Sequence, residues 1–408
     1  MPAMDKIRGN GLTLGFSCVA HAYSHLFTLL YATIVLVLER EWHLSYAELI
    51  ALSLPMNVMF GAAALAAGWA ADRWGATPLM IVFYFGVGGG SILAGLASTP
   101  FAMLLALAVI GSFAAIYHPV GIPWLAKHAV NRGRAFGING IFGSVGTAAA
   151  ALIAGVLADY LGWRAAFFVP GAICLVTGLA FIAALRGGFI VEASEDVAPQ
   201  PAPRAADVKR AFFVMSATML CTGLMFQTLS VALPKIFDER LSGFLNDSIV
   251  GVGGMVTIVY AAGAIMQIVG GELADRFSLR TVYAAAQIVQ VPLMALALVL
   301  YSPALVGVAA FLIGLNAVGQ PAENALLTRY TPAKWRGRAF GAKFVLTLGV
   351  STIGVALVPV IHRLTGSLDT LFIVLLGVAA IGGACTFLLP GEGRAKGASA
   401  GPVGSAAE

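Results

Sequence analysis

The chain is divided into long apolar runs of roughly twenty residues, the length an α-helix needs to cross a hydrocarbon layer about 30 Å thick. About twelve such runs can be marked, at 11–37, 45–70, 78–98, 101–126, 136–158, 165–185, 211–234, 248–271, 282–300, 304–328, 338–360 and 369–389. Strands of a membrane barrel would be shorter and would alternate in polarity. A soluble fold of 408 residues would need a charged shell, yet 11% of the residues are charged and 59% are hydrophobic, against roughly 25% charged in an ordinary soluble domain. The expected fold is an all-α membrane protein with twelve transmembrane helices, numbered here in chain order. The segment MPAMDKIRGN before the first run is a short basic flank. The run that follows is too long for a signal-peptide core and is kept as helix 1.

A net charge of +5 would suit a nucleic-acid partner, but no basic stripe, zinc spacing or aromatic-basic motif accompanies it. Topology explains it better. With the N-terminus on the cytoplasmic side, most of the 24 Lys and Arg fall in inner loops, as the positive-inside rule requires. The outer side receives Arg40, Arg164, Lys235, Arg240 and Arg363, and Lys343 falls inside helix 11. Both termini are then cytoplasmic, in a bacterial-type inner membrane. The four cysteines, Cys18, Cys174, Cys221 and Cys385, lie in helices without metal-type spacing and read as packing residues.

The chain repeats itself. GWAADRWG (Gly68 to Gly75) returns as GELADRFS (Gly271 to Ser278), so Asp72-Arg73 recurs as Asp275-Arg276. RGRAFG at Arg132 returns at Arg336, and His118-Pro119 aligns with Gln320-Pro321. All three pairs share a spacing of about 200 residues. The expected organisation is a six-helix bundle over 1–186, a Pro- and Ala-rich cytoplasmic linker over 187–210, a second six-helix bundle over 211–390 and a disordered tail over 391–408.

Two pseudo-symmetric six-helix bundles of the same orientation, each with an ADR loop between its second and third helices, resemble the major facilitator superfamily. The resemblance implies a transporter whose halves rock about a site near the bilayer midplane. It also implies a conformational latch that helps hold the outward-facing state. The latch falls on Gly68, Asp72, Arg73 and Gly75, and in the second half on Gly271, Asp275 and Arg276. Arg134 and Arg338, near the starts of helices 5 and 11, can reach lipid phosphates or pair with Asp72 and Asp275. Ala76 and Thr77 stand where the superfamily usually has basic residues, and Ser278 stands for the glycine of the second loop.

Polar and ionisable side chains deep in a membrane helix are costly and mark function by default. His21 and His25 are four residues apart on helix 1, hence on one face. His118 precedes Pro119 on helix 4, where the proline loosens the backbone. Helix 5 contributes Asn139. The second half supplies Gln227, Gln320, Glu323 and Lys343, of which Glu323 and Lys343 can pair. Tyr31 and Tyr117 are candidate lining residues. Histidine titrates near pH 6.5, so these groups and Glu323 are candidates for carrying protons. Three histidines, one lysine and one carboxylate favour an anionic or zwitterionic solute over a cation.

HAYSH on helix 1, LSYAELIALSL entering helix 2 and GSFAAIYHPVG on helix 4 are similar to the fosmidomycin-resistance branch of the superfamily, which exports small, often anionic antimicrobials in exchange for protons. That branch carries His-x-x-x-Asp on helix 1 and Phe-His-Pro-Glu on helix 4. Here His25 replaces the Asp, Tyr117 the Phe and Val120 the Glu. The antiporter signature of helix 5 is replaced by Gly137, Gly140, Gly143 and Gly146, a spacing suited to close helix packing.

The expected function is thus secondary active transport of a small organic solute or drug, proton-coupled, by a monomer in the lipid bilayer. No GxxxxGK[ST] loop points to direct ATP use, no cofactor is implied and no nucleic-acid partner is expected. A copper importer of the same fold is the alternative, resting on Met215 and Met219 as a soft i, i+4 pair, with His21 and His25 as borderline ligands. A non-transporting membrane sensor or an enzyme is a further alternative, though no cluster of catalytic polar residues marks one membrane face.

Overall fold

The computed structural model describes residues 2–128, 132–190, 205–245, 248–331 and 336–390. Among the described residues, twelve helices are long and apolar enough to cross a membrane. They are α1 (Gly11–Trp42), α2 (Tyr46–Trp74), α3 (Ala76–Leu96), α4 (Pro100–Leu125), α5 (Gly137–Leu161), α6 (Ala165–Arg186), α7 (Asp207–Leu245), α8 (Ile249–Arg276), α9 (Leu279–Val299), α10 (Ala304–Tyr330), α11 (Gly341–Thr365) and α12 (Asp369–Thr386). No strand occurs among the described residues. Large apolar side chains such as Phe101 and Ile265 are more than half exposed, as expected of surfaces that face lipid.

The helix starts follow local chemistry. Ser45-Tyr46-Ala47-Glu48 is a capping box: the Ser45 hydroxyl accepts from the Glu48 N–H and the Glu48 carboxylate accepts from the Ser45 N–H. α2 breaks after Ala51 and resumes at Leu54, with Pro55 in its first turn. Thr99 caps α4 ahead of Pro100.

Several ends differ from the expected ones. The helix containing α7 begins at Ala205, inside the segment assigned to the linker, because DVKR extends the helical register with polar residues past the apolar run. Of the remaining linker, 191–204 lies outside the described residues, as does the tail over 391–408.

Packing within the two halves matches pair by pair. In the first, α1 packs on α5, α2 on α4, α3 on α4 and α3 on α6; in the second, α7 packs on α11, α8 on α10, α9 on α10 and α9 on α12. An arginine closes a helix end in each half, from positions that the repeat does not relate. Arg164 donates to the carbonyls of Gly95 and Ala97 at the C-terminus of α3. Arg240 does the same at the end of α9, through Ala297 and Leu300, and pairs with Asp369 at 2.6 Å. Each cation meets the negative end of a helix dipole.

The two ADR loops turn by different means. Gly75 has φ 84° and ψ 164°, a region open essentially to glycine alone. Ser278 instead has φ −61° and caps α9, its hydroxyl accepting from the Thr281 N–H. The change from Gly to Ser therefore exchanges a glycine-only turn for an ordinary N-cap.

The halves meet mainly along α2 against α11 and α5 against α8, with α1 touching α7. At α5/α8, the Thr257 hydroxyl donates to the Ala148 carbonyl at 2.7 Å and the Ser144 hydroxyl to Gln267 Oε1 at 3.2 Å. The glycine spacing on α5 serves this packing in part. Gly146 lies against the backbone of Ala22 on α1, Gly143 against the His21 ring and Gly140 near Gln267.

Candidate functional site

A cavity of about 1540 Å³ lies between the halves and is lined by residues of both. It runs from His21, His25 and His118 to Gly68, Asp72, Gly75 and Arg329 at the helix ends beside the first ADR loop. The halves close on each other at the opposite end of the bundle. There Lys235 of α7 pairs with Glu39 of α1 at 2.9 Å and with Asp238 at 3.3 Å. The Lys235 ammonium also lies over the Tyr46 ring, which packs on His362, and His362 contacts Glu239 at 2.9 Å. Among the described residues, the cavity reaches the Asp72 end and the halves are joined at the Lys235 end.

Two polar centres line the cavity. In the first half, the rings of His21, His25 and His118 have centroids 5.1 to 5.5 Å apart. The one-turn spacing on α1 puts His21 and His25 on the same face, as read from the sequence. His118 reaches them because Pro119 lacks the N–H of an α-helical turn and the chain widens into a π turn over Tyr117–Gly121. The His21 Nδ1–H donates to the Asn139 carbonyl at 2.8 Å. Tyr117 stacks on His21 at 4.8 Å, and its hydroxyl is held by Asn139 and Ser17. Asn139 lines the cavity, whereas Tyr117 is fully buried behind the histidine it supports.

In the second half, Lys343 Nζ lies 2.7 Å from Glu323 Oε1. The pairing expected of these two residues is present, and both side chains are buried. Glu323 Oε2 is bridged by the Tyr283 hydroxyl to Thr218, and Lys343 also donates to Asn324 Oδ1 at 2.6 Å. A buried ion pair persists only when its remaining lone pairs and protons are met in this way. Phe344, next to Lys343, packs on His118 at 5.2 Å, so the two polar centres adjoin across the interface between the halves.

Of the other expected residues, Gln320 lines the cavity and Gln227 lies outside its lining. Tyr31 is fully buried, and its hydroxyl donates to the Leu49 carbonyl, tying α1 to α2. Met215 and Met219 are packed in a core with Val282, Tyr283 and Leu326 and do not reach the cavity. Asp72 and Arg73 are exposed, as is Asp275, and none of the three forms an ion pair among the described residues. Arg276 pairs with Glu272 on its own helix. The side chains of Arg134 and Arg338 lie outside the described residues.

Asn316, Asn324, Gln267 and Tyr283 were not singled out from the sequence. A signal for two of them existed, since Asn316, Gln320, Glu323 and Asn324 fall at i, i+4, i+7 and i+8 on α10, a polar stripe at helical spacing.

A family model, the Major Facilitator Superfamily, matches residues 16–254 and 215–405. The chain belongs to this superfamily. Superfamily membership makes the chain a multi-pass membrane transport protein. Its fold is shared by a bacterial homolog of the human lysosomal transporter Spinster, solved in an inward-facing and occupied conformation, with TM-score 0.69, 16% identity and coverage of 93% of this chain and 94% of that one. A mutant of the nucleoside transporter NupG gives TM-score 0.71, 14% identity and coverage of 93% and 99%. In sequence, the puromycin resistance protein pur8 of Streptomyces alboniger is 34% identical over 123 residues, 29% of this chain and 24% of pur8. The chain thus aligns with about a quarter of that relative's length.

Proposed function

We propose that the protein is a proton-coupled secondary transporter of a small organic anion or zwitterion, working by alternating access in an inner membrane as a monomer. The observation that carries this reading is the Lys343–Glu323 pair, buried at 2.7 Å in the wall of a cavity between the halves. A pair held this closely leaves Lys343 little field for a solute. Protonation of Glu323 removes the opposing charge and frees the ammonium to bind an anionic group. Loss of the proton restores the pair and expels the solute. Proton and anion thereby enter one binding event, which is what coupling requires.

The excess of Lys and Arg in the loops at the Asp72 end assigns that end to the cytoplasm, with both chain termini on the same side. The state described is then inward-open, and the Asp72 and Asp275 loops engage their partners in the outward-open state. The similarity to a puromycin resistance protein supports an organic compound as the solute, as does the likeness of helices 1 and 4 to the fosmidomycin-resistance branch. A copper importer built on Met215 and Met219 has no support from their position in a packed core.

A ligand screen by thermal shift tests the charge class. Purified protein is expected to be stabilised by members of an organic-anion or zwitterion panel and not by organic cations, with the shift lost in Lys343→Met. Stabilisation by cations that survives Lys343→Met would refute the assignment.

A further inference from the structure

The three histidines do more than line a cavity. One ring nitrogen from each of His21, His25 and His118 lies within 4.8 Å of those of the other two. A tetrahedral ion bound at about 2.0–2.1 Å by imidazole nitrogens needs them about 3.3 Å apart, a difference that small side-chain rotations cover. All three rings face the cavity.

Two observations point to a ligand rather than to packing. The first is His21. Its Nδ1–H is committed to the Asn139 carbonyl at 2.8 Å, so that in the neutral ring Nε2 is the nitrogen left with a free lone pair. A metal-bound histidine is oriented by this same arrangement, its other nitrogen donating to a backbone carbonyl. The second is His118, which is 6% exposed and whose Nδ1 has no hydrogen-bond partner. Neither ring nitrogen of His25 bonds to a described residue. Three packed imidazoles thus hold back nitrogens that no described residue satisfies.

The surroundings also fit. Gly143 makes room for the cluster, since a Cβ there would lie 2.5 Å from His21 Cε1. Phe60, Tyr117 and Phe344 wall the rings with aromatic surface. No thiolate or carboxylate belongs to the cluster. An all-imidazole set suits borderline divalent ions such as Zn²⁺, Co²⁺ or Ni²⁺ better than Cu(I), Mg²⁺ or Ca²⁺.

We propose that His21, His25 and His118 form a three-histidine site for a divalent transition-metal ion, with the fourth coordination position turned to the cavity. Three neutral imidazoles leave the full 2+ charge on the ion, and the nearby Glu323 is taken by Lys343. The fourth position therefore favours water or an anionic oxygen of a solute in the cavity. The site is reached from the Asp72 end and stands independently of the transport reading, because it is assayed at equilibrium without a gradient or a transported solute.

The test is titration of chelator-treated, purified full-length protein with Co²⁺ alone, followed by calorimetry and by the visible spectrum. One Co²⁺ per chain is expected, with the intense d–d absorption of tetrahedral coordination. His25→Ala and His118→Ala should each weaken binding at least tenfold, while His43→Ala, at an exposed position, should not change it. A variant that retains the ion avoids dependence on truncations that fail to fold: His25→Cys should bind Co²⁺ and add a thiolate-to-cobalt charge-transfer band. The proposal is overturned if the wild type binds no Co²⁺, if binding survives both alanine substitutions, or if His25→Cys holds cobalt without that band.

Discussion

Glu323→Ala is expected to destabilise the protein by about 3–5 kcal/mol, because it strands the Lys343 ammonium in a buried site without its counter-charge. Both side chains are largely excluded from solvent, at 7% and 4% exposure, so screening by water does not reduce the effect to the level of a surface pair. Lys343→Met should cost less than Glu323→Ala, since Glu323 keeps its hydrogen bond from Tyr283 and can take up a proton. The double variant Glu323→Gln/Lys343→Met should recover most of the loss, because neither group is then charged. Chemical unfolding of all variants in one detergent checks this. Equal stability of Glu323→Ala and wild type would mean that the pair carries no such energetic weight.

Gly61→Val is expected to drive the protein out of the state described here. A Cβ at Gly61 of α2 would lie 2.1 Å from the Gly349 Cα and 2.8 Å from its backbone nitrogen, and backbone atoms cannot swing aside as a flexible side chain can. The clash falls on the α2/α11 contact that helps shut the Lys235 end. Overpacking of this kind costs about 1–3 kcal/mol, enough to shift a conformational equilibrium by roughly tenfold or more. Alkylation of a cysteine placed at Tyr46 should rise accordingly in Gly61→Val. Gly307→Val, where nothing lies within 4 Å, should leave it unchanged. Unaltered labelling in Gly61→Val would show that this crossing does not hold the end shut.

The fold was legible because two of its determinants are one-dimensional. Apolar run length gives the twelve helices, and the recurrence of ADR, RGRAFG and the helix 4 and 10 prolines gives the duplication. The matched packing of the halves realises that repeat in three dimensions. The site was partly legible. A histidine spacing of four predicts a shared face, and buried opposite charges on neighbouring helices predict a pair. What was hidden depends on rotation of helices about their axes and on where they cross. That rotation turns Tyr31 and Gln227 away from the cavity and buries Met215 and Met219 in a core. It also brings Tyr283 of α9 to Glu323, across a helix boundary that no spacing encodes. The turn at Ser278 shows the converse: what reads as a missing motif glycine is a competent helix cap.

The most direct test of coupling is solute flux in proteoliposomes, using a substrate found by the thermal-shift screen. In the wild type an imposed pH gradient should drive accumulation, whereas Glu323→Gln, which keeps the shape but cannot release or take up the proton, should still exchange solute and ignore the gradient. Gradient-driven accumulation that persists unchanged in Glu323→Gln would contradict the placement of the proton on this residue and, with it, the mechanism built on the Lys343 pair.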